Sequence, residues 1–227
     1  MSTLAEFWLE ETPLFTVRNI KIEGLSYLKE AHLAHELEEI KNRSMFNVSL
    51  KEYRERLESD PWIKTATLKK HFPDGITVQI VEKQPAFYLM RGQSFCMADE
   101  EGRFIAEAAA PFKNSPELKG VHVEKWLRGD EKEASLVRKG VAFYRMAMKP
   151  NFLVAKEDLS SIELRSENDL VATIGGIPFL FRYPYSSQQW FRFLSVKNDI
   201  LSRNSAIENI DLRFSGKVIV KPQKEKI

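Results

Sequence analysis

The stretch from Asp60 to Tyr88, DPWIKTATLKKHFPDGITVQIVEKQPAFY, constrains the fold more than any other part of the chain. Pro61 disfavours helical angles at Asp60, so a helix arriving from upstream must stop there. Beyond it the residues alternate. Trp62, Ala66 and Leu68 are expected to share one face, flanked by Lys64 and Lys70. Pro73-Asp74-Gly75 is turn chemistry. Ile76, Val78 and Ile80 return on one face, with Thr77 and Gln79 on the other. The second strand ends over Glu82 to Pro85, where proline lacks a ladder donor. The pattern is a β-hairpin with one apolar face, which needs a covering layer.

The preceding residues supply that layer. Residues 14–23, LFTVRNIKIE, alternate with a slip around Asn19 and end at Gly24, so they read as a first strand. Ser26 is placed to cap a helix through Ile40, with Leu33, Leu37 and Ile40 at helical spacing. Ser49-Leu50-Lys51-Glu52 is a capping box for a second helix that buries Leu50, Tyr53 and Leu57 and stops before Pro61. The order is strand, helix, helix, strand, strand. A right-handed, parallel connection between the first two strands is expected, with the third between them. Residues 62–71 are then an edge, and Thr65, Thr67, Lys69 and Lys70 suit an edge protected against accidental pairing.

Downstream, short strands are expected over residues 87–90, 95–98 and 103–106, with a turn at Asp99-Glu100-Glu101-Gly102. Residues 131–149 read as a helix with Val137, Val141, Tyr144 and Met148 on one face, ended by Pro150. Residues 159–165, 169–174 and 177–183 read as strands, the last two joined at Gly175-Gly176. Ser187 is placed to cap a helix carrying Trp190, Phe193, Leu194, Lys197, Ile200 and Leu201 at helical period. Residues 206–214 and 217–221 read as two final strands around Ser215-Gly216. The fold class is α+β.

No catalytic constellation stands out. Only four His and one Cys occur among 227 residues. His32 and His35 are one helical turn apart, but no third metal ligand is signposted, and a solvated helix face accounts for them. Cys96 lies in an alternating strand and reads as a small core residue. Glu36, Glu38, Glu39, Glu131 and Glu133 read as solvated helix surface. Asp211 and Arg213 share one side of their strand, as an ion pair pinning the last strands or as a site for a charged partner. No metal, cofactor or enzymatic activity is expected. With 34 basic against 32 acidic residues, the net charge of +2 makes no case for a nucleic-acid surface. No window reaches the ~20 apolar residues of a membrane span, and no signal segment opens the chain.

Four motifs, in order, resemble the FtsQ/DivIB cell-division family. They are the hairpin from Pro61-Trp62-Ile63 through Pro73-Asp74 to Glu82 and Gln84-Pro85-Ala86; the step Asp99 to Gly102; Pro116-Glu117-Leu118-Lys119-Gly120; and Ile210-Asp211-Leu212-Arg213-Phe214. The resemblance implies a βααββ POTRA domain over residues 14–84 and a larger, mainly antiparallel β domain with two helices over residues 85–222. Residues 1–13 would be a lead-in after a membrane span absent from this chain, and residues 223–227 a C-terminal tail. It further implies a non-enzymatic scaffold at the division septum, single-pass in the bacterial inner membrane, with this portion on the periplasmic side. The implied partners are FtsB and FtsL, with contacts to FtsK, FtsW and FtsI. FtsB would dock by strand addition on Phe214, Ser215, Gly216, Lys217, Val218, Ile219, Val220 and Lys221. Thr65, Thr67 and Lys69 are candidate contacts on the POTRA edge. The competing expectation is a POTRA chaperone-like module from an outer-membrane assembly or secretion system, which tandem repeats or a barrel would favour.

Overall fold

Ile76, Val78 and Ile80, the apolar face of the hairpin, are buried. The computed structural model describes residues 13–150, 154–202 and 207–223. The chain divides into two units, Met1–Lys83 and Gln84–Ile227.

In the first unit, β1 (Asn19–Glu23) is followed by α1 (Glu30–Glu38), α2 (Leu50–Glu58), β2 (Ile63–His71) and β3 (Gly75–Glu82). The strands lie in the order β1-β3-β2. β1 runs parallel to β3, and β2 runs antiparallel to it. The parallel relation expected between β1 and β2 is therefore wrong. Two helices, not one, return the chain to the end of the sheet where β1 finished, so β2 runs against β1. The core is Leu33, Leu37 and Ile40 from α1 and the turn after it, Tyr53 and Leu57 from α2, and Ile63, Ala66, Ile76, Val78 and Ile80 from the sheet.

Three local expectations are corrected. Residues 14–18 are not strand: Pro13–Phe15 is a 3₁₀ turn, and β1 begins at Asn19, where the alternation slipped. Ile63 replaces Trp62 in the core, because an irregularity between Ile63 and Thr65 resets the alternation. Trp62 instead packs near Tyr27, with ring centroids 5.9 Å apart. Ser26 caps no helix. α1 begins after Lys29, without a side-chain cap. The N–H groups of Ser26, Tyr27 and Leu28 all donate to the Glu82 carboxylate, at 3.0, 2.8 and 2.9 Å. The second helix does start as expected, with Ser49 Oγ accepting from the Glu52 N–H at 3.4 Å.

The second unit holds β4 (Phe87–Arg91), β5 (Ser94–Ala98), β6 (Phe104–Ala108), β7 (Glu117–Lys119), α3 (Val123–Leu127), α4 (Glu131–Ala147), β8 (Leu159–Leu164), β9 (Asp169–Ile174), β10 (Ile177–Arg182), α5 (Ser187–Ser202), β11 (Ile207–Asp211) and β12 (Ile219–Pro222). Its strands form one sheet in the order β12-β11-β10-β9-β8-β7-β4-β5-β6. Neighbours are parallel at β10/β11, β7/β8 and β4/β7 and antiparallel elsewhere. Phe143 of α4, Trp190 and Phe193 of α5, and Phe179 and Phe181 of β10 meet in an aromatic core. Centroids lie 4.9 Å apart for Phe143–Phe181 and 4.7 Å for Trp190–Phe193.

The motif residues have structural roles. The buried Asp99 carboxylate accepts from the N–H groups of Glu101 and Arg103 and from Arg103 Nε, closing the β5–β6 turn. Gly120 sits at φ +83°, where a Cβ would lie 2.1 Å from the Leu164 carbonyl oxygen, so a side chain is sterically barred. Cys96 is buried, and burial pushes its thiol pKa up. Glu133 is not solvated surface: it is buried and accepts from the His122 N–H at 2.8 Å, joining α4 to the start of α3. The last helix is capped one residue earlier than expected, by Ser186 Oγ accepting from the Gln189 N–H at 3.2 Å.

Candidate functional site: the sheet edges

β12 is the terminal strand of the larger sheet, and all four of its residues are exposed. What holds it there is the segment just before it. Ile210 and Leu212 are buried in the core. The Leu212 N–H donates to the Leu180 carbonyl at 3.0 Å, and the Leu212 carbonyl accepts from Arg192 Nη2 of α5 at 3.1 Å.

Asp211 and Arg213 settle their alternative in favour of the structural role. Arg213 donates Nε and Nη2 to the two oxygens of Asp211, at 2.9 and 2.6 Å, and Nη1 to Asp169 Oδ2 at 2.6 Å. Asp169, at the start of β9, also accepts from Arg182 Nε of β10 at 2.9 Å. The Arg182 hydrogen bond is the largest influence on the Asp169 carboxyl and, helped by the bond from Arg213, holds its pKa below the ordinary value although burial pushes it up. Burial would raise the Asp211 carboxyl, and its bonds from Arg213 more than offset that. Arg213 is raised in turn, first by Asp211. This ionic latch ties the exit of β11 to the β9–β10 hairpin.

The register fixes which main-chain groups of β12 are free. The Leu212 bond turns the main-chain groups of Ile210 and Leu212 toward β10. Alternation then turns those of Asn209 and Asp211 toward β12. Asp211 pairs with Ile219 and Asn209 with Lys221, so Ile219 and Lys221 complete the ladder. Val220 therefore presents its N–H and C=O outward. Pro222, the last residue of the strand, has no N–H to present.

Of the eight residues expected here, Ile219, Val220 and Lys221 lie in the edge strand. Phe214, Ser215 and Gly216 form the exposed turn before it, and Lys217 is exposed beside that turn. Lys217 and Val218 precede β12, which starts two residues later than expected, and Val218 is partly buried against the core. Phe214, Ile219 and Val220 are 48%, 40% and 45% exposed, so apolar side chains stand at the edge, those of Ile219 and Val220 on opposite faces of the sheet.

The other expected edge is built differently. Thr65, Thr67 and Lys69 expose their side chains on β2. The Ala66 N–H, however, donates to Glu58 Oε1 of α2 at 3.0 Å. Ala66 therefore points its main chain outward and is occupied, while alternation turns the main chains of Thr65, Thr67 and Lys69 inward to β3. The outward positions on β2 are Leu68 and Lys70, which the sequence reading did not separate from their neighbours.

His32 and His35 are exposed, and His32 Nε2 is hydrogen-bonded to Asp60 Oδ2 at 2.6 Å. Among the described residues, no cluster of three or more His, Cys, Asp or Glu could hold a metal ion, and no helix is long and apolar enough to cross a membrane. What these surfaces offer is main-chain hydrogen bonding and apolar contact.

Residues 15–83 match the family model described as "POTRA domain, FtsQ-type". Over 213 residues, 90% of this chain, the sequence is 20% identical to a cell division protein FtsQ from Koribacter versatilis. The first unit carries an FtsQ-type POTRA domain, and most of the chain is similar to FtsQ cell division proteins. A second FtsQ relative, from Syntrophotalea carbinolica, is 22% identical over 91% of this chain and 74% of its own length. A cell division protein DivIB from Clostridium acetobutylicum is 26% identical over 40% of this chain. The alignments span 36% of that DivIB and 59% of the Koribacter FtsQ. Within the FtsQ-type POTRA domain, Glu82 is the acid that closes the loop before α1, and the Pro73-Asp74 turn carries the Asp74 carbonyl that accepts from Arg18 and Asn19 N–H.

Proposed function

We propose that this chain is the periplasmic part of a septum-assembly protein, a non-enzymatic scaffold anchored by a single membrane span. Its larger unit docks an FtsB–FtsL pair by strand addition at β12, and its POTRA unit contributes further contacts to division proteins such as FtsK, FtsW and FtsI. The kinship with cell division proteins supports the process. The observation that carries the docking mode is that β12 is the terminal strand with all four residues exposed, the main chain of Val220 facing outward and Phe214, Ile219 and Val220 exposing apolar side chains. Main-chain bonds from such an edge give affinity, and side chains at alternate positions give register. Phe214, Ser215, Gly216, Lys217 and Val218 form the approach to that edge.

The test is binding of this chain to the extracytoplasmic FtsB–FtsL segment of the same organism, with Val220→Pro beside the wild type. Proline at Val220 removes the outward donor and leaves the β11 pairing in place, since Ile219 and Lys221 make it. Saturable wild-type binding, weakened at least about tenfold in a Val220→Pro chain of unchanged circular dichroism, is expected for strand addition with a lost hot-spot bond. Equal binding by the two chains would remove β12 as the site.

A further inference from the structure

Among the described residues of the first unit, Leu14, Phe46 and Phe72 expose large apolar side chains at one end, at 59%, 42% and 57% exposure, while Tyr27 and Val81 do so at the other. Three connections build the first of these ends. The 3₁₀ turn Pro13–Phe15 leads into β1, residues 39–49 join α1 to α2, and Phe72-Pro73-Asp74 joins β2 to β3. The rings of Phe15, Phe46 and Phe72 meet there, with centroids 5.4 Å apart for Phe15–Phe46, 6.1 Å for Phe15–Phe72 and 5.7 Å for Phe46–Phe72. Single exposed apolar residues are ordinary, but a cluster gathered from three connections marks a contact surface.

The main chains of these connections are bonded to one another. The Phe15 carbonyl accepts from the Met45 N–H at 2.7 Å, the Val17 N–H donates to the Arg43 carbonyl at 3.0 Å, and the Asp74 carbonyl accepts from the Arg18 and Asn19 N–H groups at 2.9 and 3.1 Å. The rings therefore stand on bonded backbone, unlike the side chains of β12. They offer apolar contact without a ladder, which a hydrocarbon boundary takes up without a matching shape.

The path of the chain names the occupant. The 3₁₀ turn that carries Phe15 begins at Pro13, and whatever lies upstream reaches the sheet through it. On the reading above, of a single membrane span before this chain, twelve residues separate that span from Pro13. Fully extended they reach no more than about 40 Å. The ring cluster is thus held beside a bilayer at high effective concentration, where a weak contact suffices.

We infer that Leu14, Phe46 and Phe72 dip into the interface of a phospholipid bilayer. This seats the β2–β3 turn at the membrane and turns the Glu82 end of the sheet away from it. The inference rests on the proposed membrane span. The contact is apolar and needs no particular headgroup charge.

The test uses the full chain with a hexahistidine tag before Met1, held on phosphatidylcholine vesicles that carry a nickel-chelating lipid. An environment-sensitive fluorophore is attached at Asn47→Cys, exposed beside Phe46, or at Val81→Cys, exposed at the far end; Cys96 is buried and does not compete. The expected result at position 47 is a blue-shifted emission on tethering, quenched by lipid bearing a nitroxide near its headgroup, with neither change at position 81. Phe72→Asp should reduce the quenching several-fold, and Phe46→Asp combined with Phe72→Asp should abolish it, with circular dichroism unchanged in both. Unshifted emission at position 47 on the vesicles, equal quenching at the two positions, or quenching that survives the double variant would overturn the inference. So would a shift that is present without vesicles and resists the nitroxide, since another part of the chain would then cover the rings. The tag supplies the anchor, so failure here strikes the ring cluster and leaves the readings of a natural span and of β12 standing. Val220→Pro should leave the quenching unchanged.

Discussion

Glu82 shows how much one carboxylate can organise. It is the last residue of a strand, on the core face of its sheet by alternation from Ile76, Val78 and Ile80. Three consecutive N–H groups converge on it from the loop before α1. Those donors would otherwise be a helix approach without a cap, since Lys29 supplies none. Glu82→Gln keeps the shape but loses the charge and one acceptor oxygen. A destabilisation of about 2–3 kcal/mol is expected from charged hydrogen bonds of this kind. Urea unfolding of residues 13–83, where Trp62 is the one tryptophan, would measure it by fluorescence, and a midpoint equal to that of the wild type would remove the role assigned to the carboxylate. Glu133 repeats the device on a smaller scale, with one backbone donor from His122.

At the scale of elements, the latch of Asp169, Arg213 and Asp211 sets where β11 ends. Both carboxyls are held below their ordinary range. Their stabilising contribution is thus complete above the ordinary carboxylate pKa of about 4 and is lost as pH falls through the lower, folded-state values. Asp169→Asn removes part of it at neutral pH. The wild type should therefore lose more stability than Asp169→Asn on acidification below about pH 4, with melting curves for the two chains converging. Parallel curves would show that the latch carries no pH-dependent stability. The elements also show what the sequence discloses. Alternation and helical spacing were enough to read the βααββ order, the strands β4 to β6 and β8 to β10 and the apolar faces, because each depends on neighbours a few residues apart; the short β7 and α3 were missed, so the larger unit carries a helix beyond the two expected. The Ser49 cap was legible, but the longer-range backbone contacts were not. Ser26 and Glu133 take their roles from Glu82 and His122, and nothing near Ser26 or Glu133 in sequence marks those bonds. Trp62 was misplaced because an irregularity in the β2–β3 pairing is a property of two strands together. Ile219, Val220 and Lys221 of β12 and Thr65, Thr67 and Lys69 of β2 were read within strands, whereas residues 214–218 precede β12, and which main chains face outward depends on register. Val220 and Leu68 could be picked out only once the pairings were known.

At the scale of the whole molecule there are two separate apolar cores, one of helix and hairpin residues within 17–80, the other built on the Phe143, Phe181 and Trp190 cluster. Each contains its own sheet and helices. Residues 13–83 produced alone should therefore give a single cooperative urea transition with dispersed amide resonances. A collapsed spectrum without a transition would mean that this core is too small to stand by itself.

The bond from the Ala66 N–H to Glu58 bears on how copies of this molecule can meet. A small sheet with two bare edges can pair head to tail, edge against opposite edge, and such pairing has no natural stopping point. The Glu58 bond takes the outward N–H of Ala66, and lysines line the rest of β2, so this edge is a poorer template for an incoming strand than a bare one. A single glutamate on α2 thus weakens one of the two edges that a head-to-tail stack of POTRA sheets would need.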